Sequence, residues 1–451
     1  MKLISSDPDI ASLIQKEAKR QRNVLEMIPS ENYASRAVRE AVGSVLMNKY
    51  AEGQTEARYY QGNSVIDEVE TLCKTRALFL FGLDETEWGV NVQALSGSPA
   101  NLAVLNAALP LGETIMAMYL PDGGHLSHGW HIGNKRITLA SKIWNICFYY
   151  VDKETRVFDY DAILTQAIHD KPKLIISGGT AYPREIDHKH MGEIASKVGA
   201  YYLADIAHEA GLVAAGVNTS PFPYADFVTM TTHKTLRGPR GAMIFTRRKP
   251  INRKANIDDM STRIDRSVFP AIQGGPHEHT IAGIAVALGE AKTTEFKKYS
   301  RQIIANAKLL AGLFLKNGYD VVSGGTDKHL VLVDLRNGRI SATIAAQALE
   351  YAHIVINKNT VPNDTGTSVY PSGIRFGTPA VTTRGMKEKE MKQIAGWMFE
   401  VLHLASRYRL PDDTKERKLF IKKLYPTLRN IKRIKQITYE VTSLCGKFPV
   451  P

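Results

Sequence analysis

Cysteine is scarce in this chain: three among 451 residues, at positions 73, 147 and 445. An odd number at such wide spacing builds neither a disulfide framework nor a zinc site, and it suits a reducing compartment. Long apolar runs are missing as well. No stretch reaches the ~18 uncharged apolar residues of a membrane-spanning helix, and the opening MKLISSDPDIASLIQKEAKRQ has no apolar core of a secretion signal. It reads instead as a helix with Asp7 as N-cap and Pro8 in its first turn. A cytoplasmic protein without membrane attachment is expected. Repeats, low-complexity segments and long linkers are also absent, which excludes solenoids and extended scaffolds. Acidic residues are the minority, 45 against 58 lysines and arginines, a net charge of +13. Such a chain attracts anions: nucleic acid, phosphorylated cofactors or polyglutamate-like ligands. Part of the excess lies in residues 415–435, with nine Lys or Arg and one Glu. This stretch reads as a solvated helical face, and with no RNA-binding motif beside it nucleic acid is not an expected partner.

What is present is an ordinary globular composition, 44% hydrophobic and 23% charged, enough for a core at this length. From about residue 55 to 275 strand-like and helix-like segments alternate. WGVNVQAL (88–95), TIMAMYL (114–120), KLIISGG (173–179), AYYLAD (200–205) and ADFVTMTT (225–232) read as strands of a mainly parallel α/β sheet. Ligands of such sheets sit beyond the carboxyl ends of the strands, and there the chain places Ser96, His125, Thr180, Asp205 and Lys234. A long helix is expected over about 280–317. Short strands and a helix follow in GYDVVSGGT, HLVLVDLR, ISATIAAQALEYA and GIRFGTPAVTTRG, a smaller α/β domain.

Several of these residues carry chemistry if they meet. Lys234, after a run of β-formers and beside His233, is either a solvated lysine or a desolvated amine able to form a Schiff base with a carbonyl cofactor. Asp205 is either a turn residue or the partner of a pyridinium nitrogen. His208, three residues on, is a structural histidine or a donor to a ring hydroxyl or substrate. Ser96, Gly97 and Ser98 stand between strand and helix, where backbone N–H groups and hydroxyls can hold a phosphate. His125, after two glycines, offers a flat ring for stacking. His125 and His128 also make a possible metal pair, but no third ligand lies at metal spacing, so no metal is expected. Arg375, between glycines on an apolar strand, suits a carboxylate. Together these are the parts of a pyridoxal-phosphate enzyme acting on an amino acid.

The chain resembles the serine hydroxymethyltransferase (glycine hydroxymethyltransferase) family. The stretches are IPSENYAS, NKYAEG, ARYY, LSGSPAN, GGHLSHG, ADIAHEAGLVAAG, TTHKTLRGPRGAMIF, QGGPHEHTIAG, VVSGGTDKHLVLVDL, VINKNTVPND and SGIRFGTPAVTTRG. They run in order from residue 28 to about 385, and SLCGKFPV resembles the family's ending. The resemblance implies the aspartate-aminotransferase-like fold (fold type I): a large domain on a seven-stranded-type sheet and a smaller C-terminal α/β domain. It suggests a helical arm over 1–49, a large cofactor domain over 50–277, a small domain over 278–405 and a basic helical extension over 406–451.

It implies pyridoxal 5'-phosphate as cofactor, tetrahydrofolate as cosubstrate, serine and glycine as substrates, and a homodimer or tetramer with shared sites. Lys234 would bond the cofactor, Asp205 pair with its ring nitrogen and His125 stack on the ring. Thr180 stands where the family usually has serine, near the ring hydroxyl. Ser96, Gly97, Ser98 and His233 would surround the phosphate, with Tyr50 and Gly275 reaching it from a neighbouring chain. Ser30 and Arg375 would hold the amino-acid carboxylate. Glu52, as acid–base group, with Tyr59 and Tyr60, would come from the partner to handle proton transfer and folate. Leu120, Gly124, Leu126 and Asn357 match positions around the pteridine. The chain departs from the family's usual pattern in QTEA (54–57), RYYQGN (58–63) and PDGG (121–124), changes that bear on folate affinity. The alternative activity is a folate-independent aldolase acting on threonine or phenylserine-like substrates.

Overall fold

The computed structural model describes residues 2–252 and 258–451. The chain divides into two compact units, Ala34–Arg301 and Met1–Tyr33 with Gln302–Pro451. The strands of the main sheets are β1 (Trp88–Asn91), β2 (Thr114–Met118), β3 (Asn145–Tyr149), β4 (Leu174–Ser177), β5 (Tyr201–Asp205), β6 (Phe227–Thr231), β7 (Ala242–Arg247), β8 (Asp320–Val321), β9 (Leu330–Asp334), β10 (Asn357–Asn359) and β11 (Gly373–Gly377). The helices used below are α1 (Pro8–Asn23), α2 (Ser64–Phe81), α3 (Gly97–Ala108), α4 (Glu278–Ala291), α5 (Thr294–Lys316), α6 (Thr414–Asn430) and α7 (Lys432–Lys447).

The unit Ala34–Arg301 is built on a seven-stranded sheet ordered β1-β7-β6-β5-β4-β2-β3. From β3 to β6 the neighbours are parallel, whereas β7 is antiparallel to both β6 and β1. Strands such as LIIS and YYLAD are buried at every residue. That follows from a parallel sheet covered on both faces, which favours continuous apolar runs over alternation. The strand expectations from the sequence hold, and two strands, β3 and β7, join them. Before the sheet, Gly53–Gln54 and Ala57–Arg58 form a small antiparallel hairpin, so the QTEA stretch is its turn.

The expected single helix over 280–317 is two, α4 and α5. Between them the Thr293 hydroxyl accepts the Phe296 N–H at 3.2 Å, an N-cap that starts α5 afresh.

The other unit carries an antiparallel sheet ordered β8-β9-β11-β10. Residues 1–33 belong to it for identifiable reasons. Leu25–Glu26 pairs in parallel with Ile354–Val355. The buried Arg384 guanidinium donates to the carbonyls of Arg22 at 2.9 Å, Val24 at 2.8 Å, Cys445 at 2.8 Å and Phe448 at 2.7 Å, clamping the beginning and end of the chain together. The basic stretch forms α6 and α7, whose Leu424, Leu428, Ile434, Ile437 and Val441 enter the unit's core. Of the four segments expected from the sequence, residues 1–33 fall in the unit of the C-terminal part, 34–49 fall in the unit of the seven-stranded sheet, and 406–451 contribute to a core. At the start of α1 the Asp7 carboxylate accepts the Ile10 N–H at 3.0 Å, as expected of an N-cap.

Candidate active site

Asp205 ends β5. Gly178, just after β4, makes room for it: its φ is +122°, and a Cβ there would lie 2.1 Å from the Asp205 carbonyl oxygen, so the approach requires glycine. The Asp205 carboxylate is buried and held by three hydrogen bonds. Its Oδ2 meets His128 Nε2 at 2.9 Å and accepts Asn101 Nδ2 at 2.8 Å, while Oδ1 accepts the Ala207 N–H at 3.0 Å. Burial opposes ionisation, but the hydrogen bond and charge of His128, with His125 and Asn101, outweigh it and hold the carboxyl well below the usual carboxylate range. Asn101 is itself oriented from β6, where the Thr229 hydroxyl donates to its Oδ1 at 2.6 Å.

His125 belongs to the same network. Its Nδ1 lies 2.7 Å from Ser127 Oγ, which accepts the other Asn101 amide hydrogen at 2.8 Å. Spacing along the chain offers the His125–His128 pair no third metal ligand, yet through space Asp205 supplies one, all three ligand atoms lying within 4.8 Å of one another. Asp205 already accepts three hydrogen bonds, so the cluster is a holder for an ionised carboxylate.

Lys234 follows the adjoining strand β6 and is buried, 8% exposed. The loop behind it is tight: Thr232 receives the Gly238 N–H at 2.7 Å and donates its own hydroxyl to the Pro239 carbonyl at 2.6 Å. Arg237, at φ +60°, lays its guanidinium over the Tyr299 ring, 4.3 Å from the centroid. Burial, with Arg240 and Lys234 beside it, lowers the pKa of His233 to about 3. Its Nδ1 is buried without a hydrogen-bond partner among the described residues. Ser96 and Ser98, exposed, flank Gly97 at the start of α3. A Cβ on Gly97 would meet Thr231 Cγ2 at 2.8 Å, so the helix start sits against the end of β6. His208 is buried, its carbonyl accepting the Thr235 hydroxyl at 3.0 Å. Thr180 donates its N–H to the Gly123 carbonyl at 2.7 Å, bringing it to the turn that holds Leu120, Gly124 and Leu126. Within that turn Asp122 points inward, its carboxylate accepting the Val151 N–H at 3.2 Å while burial raises it to about 6.

A second cluster gathers around the hairpin. Tyr50 Oη donates to Glu52 Oε1 at 3.2 Å, and the Tyr50 and Tyr60 rings meet edge-on at 5.3 Å. A Cβ on Gly275 would lie 3.4 Å from the Tyr50 ring, and one on Gly274 3.2 Å from Glu52 Oε1. Tyr59 is exposed, its ring 5.7 Å from that of Phe269. Gln273 ties this segment to the residues before α3, accepting the Leu95 N–H at 3.2 Å and donating to the Gln93 carbonyl at 2.7 Å.

In the other unit Arg375 is buried on β11, opposite Asn357 on β10, and donates from Nε to its Oδ1 at 3.0 Å. Burial lowers the Arg375 pKa to about 10. The Gly377 N–H reaches the Met27 carbonyl at 2.7 Å, which sets the segment of Ser30 against the end of β11.

Sequence reasoning did not single out Asn101, Ser127 and Gln273, and it weighed His128 only as a metal ligand. The signal for Asn101 was an amide within the apolar run of SPANLAVLNAAL, a polar group that burial obliges to find partners.

A buried lysine and an ionised aspartate at adjoining strand ends, with a tethered imidazole near the aspartate, point to a pyridoxal-phosphate enzyme on an α/β sheet. The residues fit that group on their own chemistry: Asp205 suits a ring N–H, while His233 Nδ1 and the serine hydroxyls at the α3 N-terminus suit a phosphate. A family profile described as serine hydroxymethyltransferase matches residues 3–398. The chain is 45% identical over 450 residues to a serine hydroxymethyltransferase of Caenorhabditis briggsae, covering 99% of this chain and 88% of the relative. It is 46% identical to the probable cytosolic serine hydroxymethyltransferase of Schizosaccharomyces pombe, over 99% and 97%. It is also 46% identical to the chloroplastic serine hydroxymethyltransferase 3 of Arabidopsis thaliana, over 99% and 83%. The chain belongs to the serine hydroxymethyltransferase family. It is a pyridoxal-phosphate-dependent transferase that moves the hydroxymethyl carbon of serine reversibly to tetrahydrofolate, giving glycine and 5,10-methylenetetrahydrofolate. The relatives include cytosolic, mitochondrial and chloroplastic proteins, so membership assigns no compartment. Among the described residues no helix is long and apolar enough to cross a membrane.

Proposed function

We propose the following division of labour among these residues. Lys234 holds the cofactor covalently, Asp205 takes its ring N–H, His125 covers its face, and Thr180 and His208 attend the ring hydroxyl. Ser96, Gly97, Ser98 and His233 hold the phosphate. Bound pyridoxal phosphate supplies the electron sink for the serine Cα. The protein supplies orientation. Arg375, steadied by Asn357, forks onto the serine carboxylate with Ser30 and so selects which bond at Cα is presented for cleavage. Glu52, within reach of the Tyr50 hydroxyl, moves the proton at the serine hydroxyl, and Tyr59 and Tyr60 bound the folate. Leu120, Gly124, Leu126 and Asn357 contact the pterin. The observation that carries this reading is the ionised Asp205 network beside buried Lys234.

The second cluster supports a homodimer with shared sites. Val45, Met47, Tyr50, Tyr59, Tyr60 and Val65 are all large, apolar or aromatic, and exposed within one short segment. A patch of that kind marks an interaction surface, and a second copy covering it would bring Tyr50, Glu52, Tyr60 and Gly275 to the neighbour's cofactor. The three cysteines are unpaired, which supports a reducing compartment and, in our reading, the cytoplasm.

The test of the activity is serine cleavage with and without tetrahydrofolate. Strong acceleration by folate is expected; equal rates would favour the aldolase.

A further inference from the structure

Arg58, the last residue of the hairpin, has a buried side chain, 4% exposed. It donates from Nη1 to the carbonyls of Ala51 at 2.9 Å and Gly53 at 2.8 Å, the residues on either side of Glu52. Its Nε donates to Asp67 Oδ1 at 2.8 Å. Its Nη2 pairs with Glu70 Oε1 at 3.0 Å. Glu70, on α2, is fully buried and receives Gln93 Nε2 at 3.0 and 3.2 Å; the same amide nitrogen also reaches the Gly53 carbonyl at 3.0 Å. Against this network stands a second buried carboxyl, Glu278, the first residue of α4 and 1% exposed. Among the described residues neither of its oxygens has a partner as an ionised group. Two carboxylates side by side in such burial repel each other and are poorly solvated. A single proton between them removes both costs and turns repulsion into a hydrogen bond. Burial first, then the charge of Glu70 and a hydrogen bond to it, raise Glu278 to about 9.

We propose that Glu70 and Glu278 share one proton, and that this pair, acting through Arg58, positions Glu52, Tyr59 and Tyr60 for the transfer reaction. The proposal rests on the roles given above to those three residues. Glu278 lies three residues after Gly275, so the same proton also fixes the segment that packs against Tyr50. When it is lost, the second charge has to leave the interior, and the segments 50–60 and 274–278 move with it. Other charged and titratable groups around the pair are Asp67, Lys74, Cys73 and Arg76 on α2, Asp265, and His277 and His279 beside Glu278. Lys74, 3.8 Å from Glu70 Oε2, and Arg58 are the cations that balance the one carboxylate charge of the pair together with Asp67. The sign is that of a raised carboxyl. The linked stability is greatest below the unfolded value near 4.5 and is lost as pH climbs toward about 9.

The test compares Glu278→Gln, Glu278→Ala and Glu52→Gln, with cofactor absorbance as a control for the Lys234 pocket. Glutamine keeps a donor toward Glu70 and cannot ionise. It should retain folate-dependent turnover within about threefold at neutral pH and lack the alkaline fall near pH 9 expected of the parent. Alanine should lower kcat and raise the folate KM together, roughly tenfold or more in kcat/KM, with cofactor absorbance unchanged. Hydrogen exchange should quicken over residues 50–60 in the alanine variant. A glutamine variant that fails to fold or keeps the parental alkaline limb, or an alanine variant with parental kinetics, overturns the proposal. Normal turnover in Glu52→Gln would instead overturn the reading of the loop on which it rests.

Discussion

Lys234 pairs burial with a neighbouring histidine stripped of its charge, and Asp205 pairs burial with three donors. A desolvated amine beside an ionised, well-held carboxylate is the kind of arrangement that functional sites build. Replacing His128 with asparagine should let Asp205 return toward the ordinary carboxylate pKa. A depressed carboxyl contributes above its unfolded pKa and fails as pH falls, so cofactor release on acidification should begin at a higher pH than in the parent, as followed by absorbance. Arg375→Ala should raise the serine KM about a hundredfold, roughly 3 kcal/mol, because a buried carboxylate partner is lost. Lys234, Asp205, His125 and Arg375 were legible because each is a costly residue type at a strand end or on an apolar strand. His128, Asn101 and Ser127 were not, because their significance is a mutual distance, and distance in space is invisible in spacing along the chain.

At the scale of elements, strands β4 and β5 announce themselves as apolar runs bounded by glycine or aspartate. The β3 run NICFY lacks that punctuation, and β7 runs against the parallel pattern, so neither stood out. The break between α4 and α5 is one threonine cap in a sequence otherwise suited to a single helix. The QTEA turn carries Glu56 at φ +63°, a left-handed conformation that disfavours side chains. Glu56→Gly should stabilise the fold by about 0.5–1 kcal/mol, measured by thermal unfolding, with the folate KM unchanged. The PDGG departure is explained by Asp122, whose carboxylate ties the turn to Val151.

For the whole molecule, the Arg384 clamp joins segments 360 residues apart in sequence, which no local pattern could reveal. Arg384→Met, leaving five carbonyls without this donor, should cost about 2–4 kcal/mol in unfolding free energy. Shared sites make a distinct prediction. Mixing and refolding equal amounts of Lys234→Ala and Glu52→Gln, each inactive alone, should restore about a quarter of parental activity through hybrid dimers with one intact site; no recovery would place Glu52 and Lys234 in the same protomer's site. The central claim is that one amine, on Lys234, carries the cofactor. Borohydride reduction of the holoenzyme followed by peptide mass spectrometry tests it directly: the account predicts a pyridoxyl adduct on Lys234, and an adduct on another side chain, or none, would contradict it.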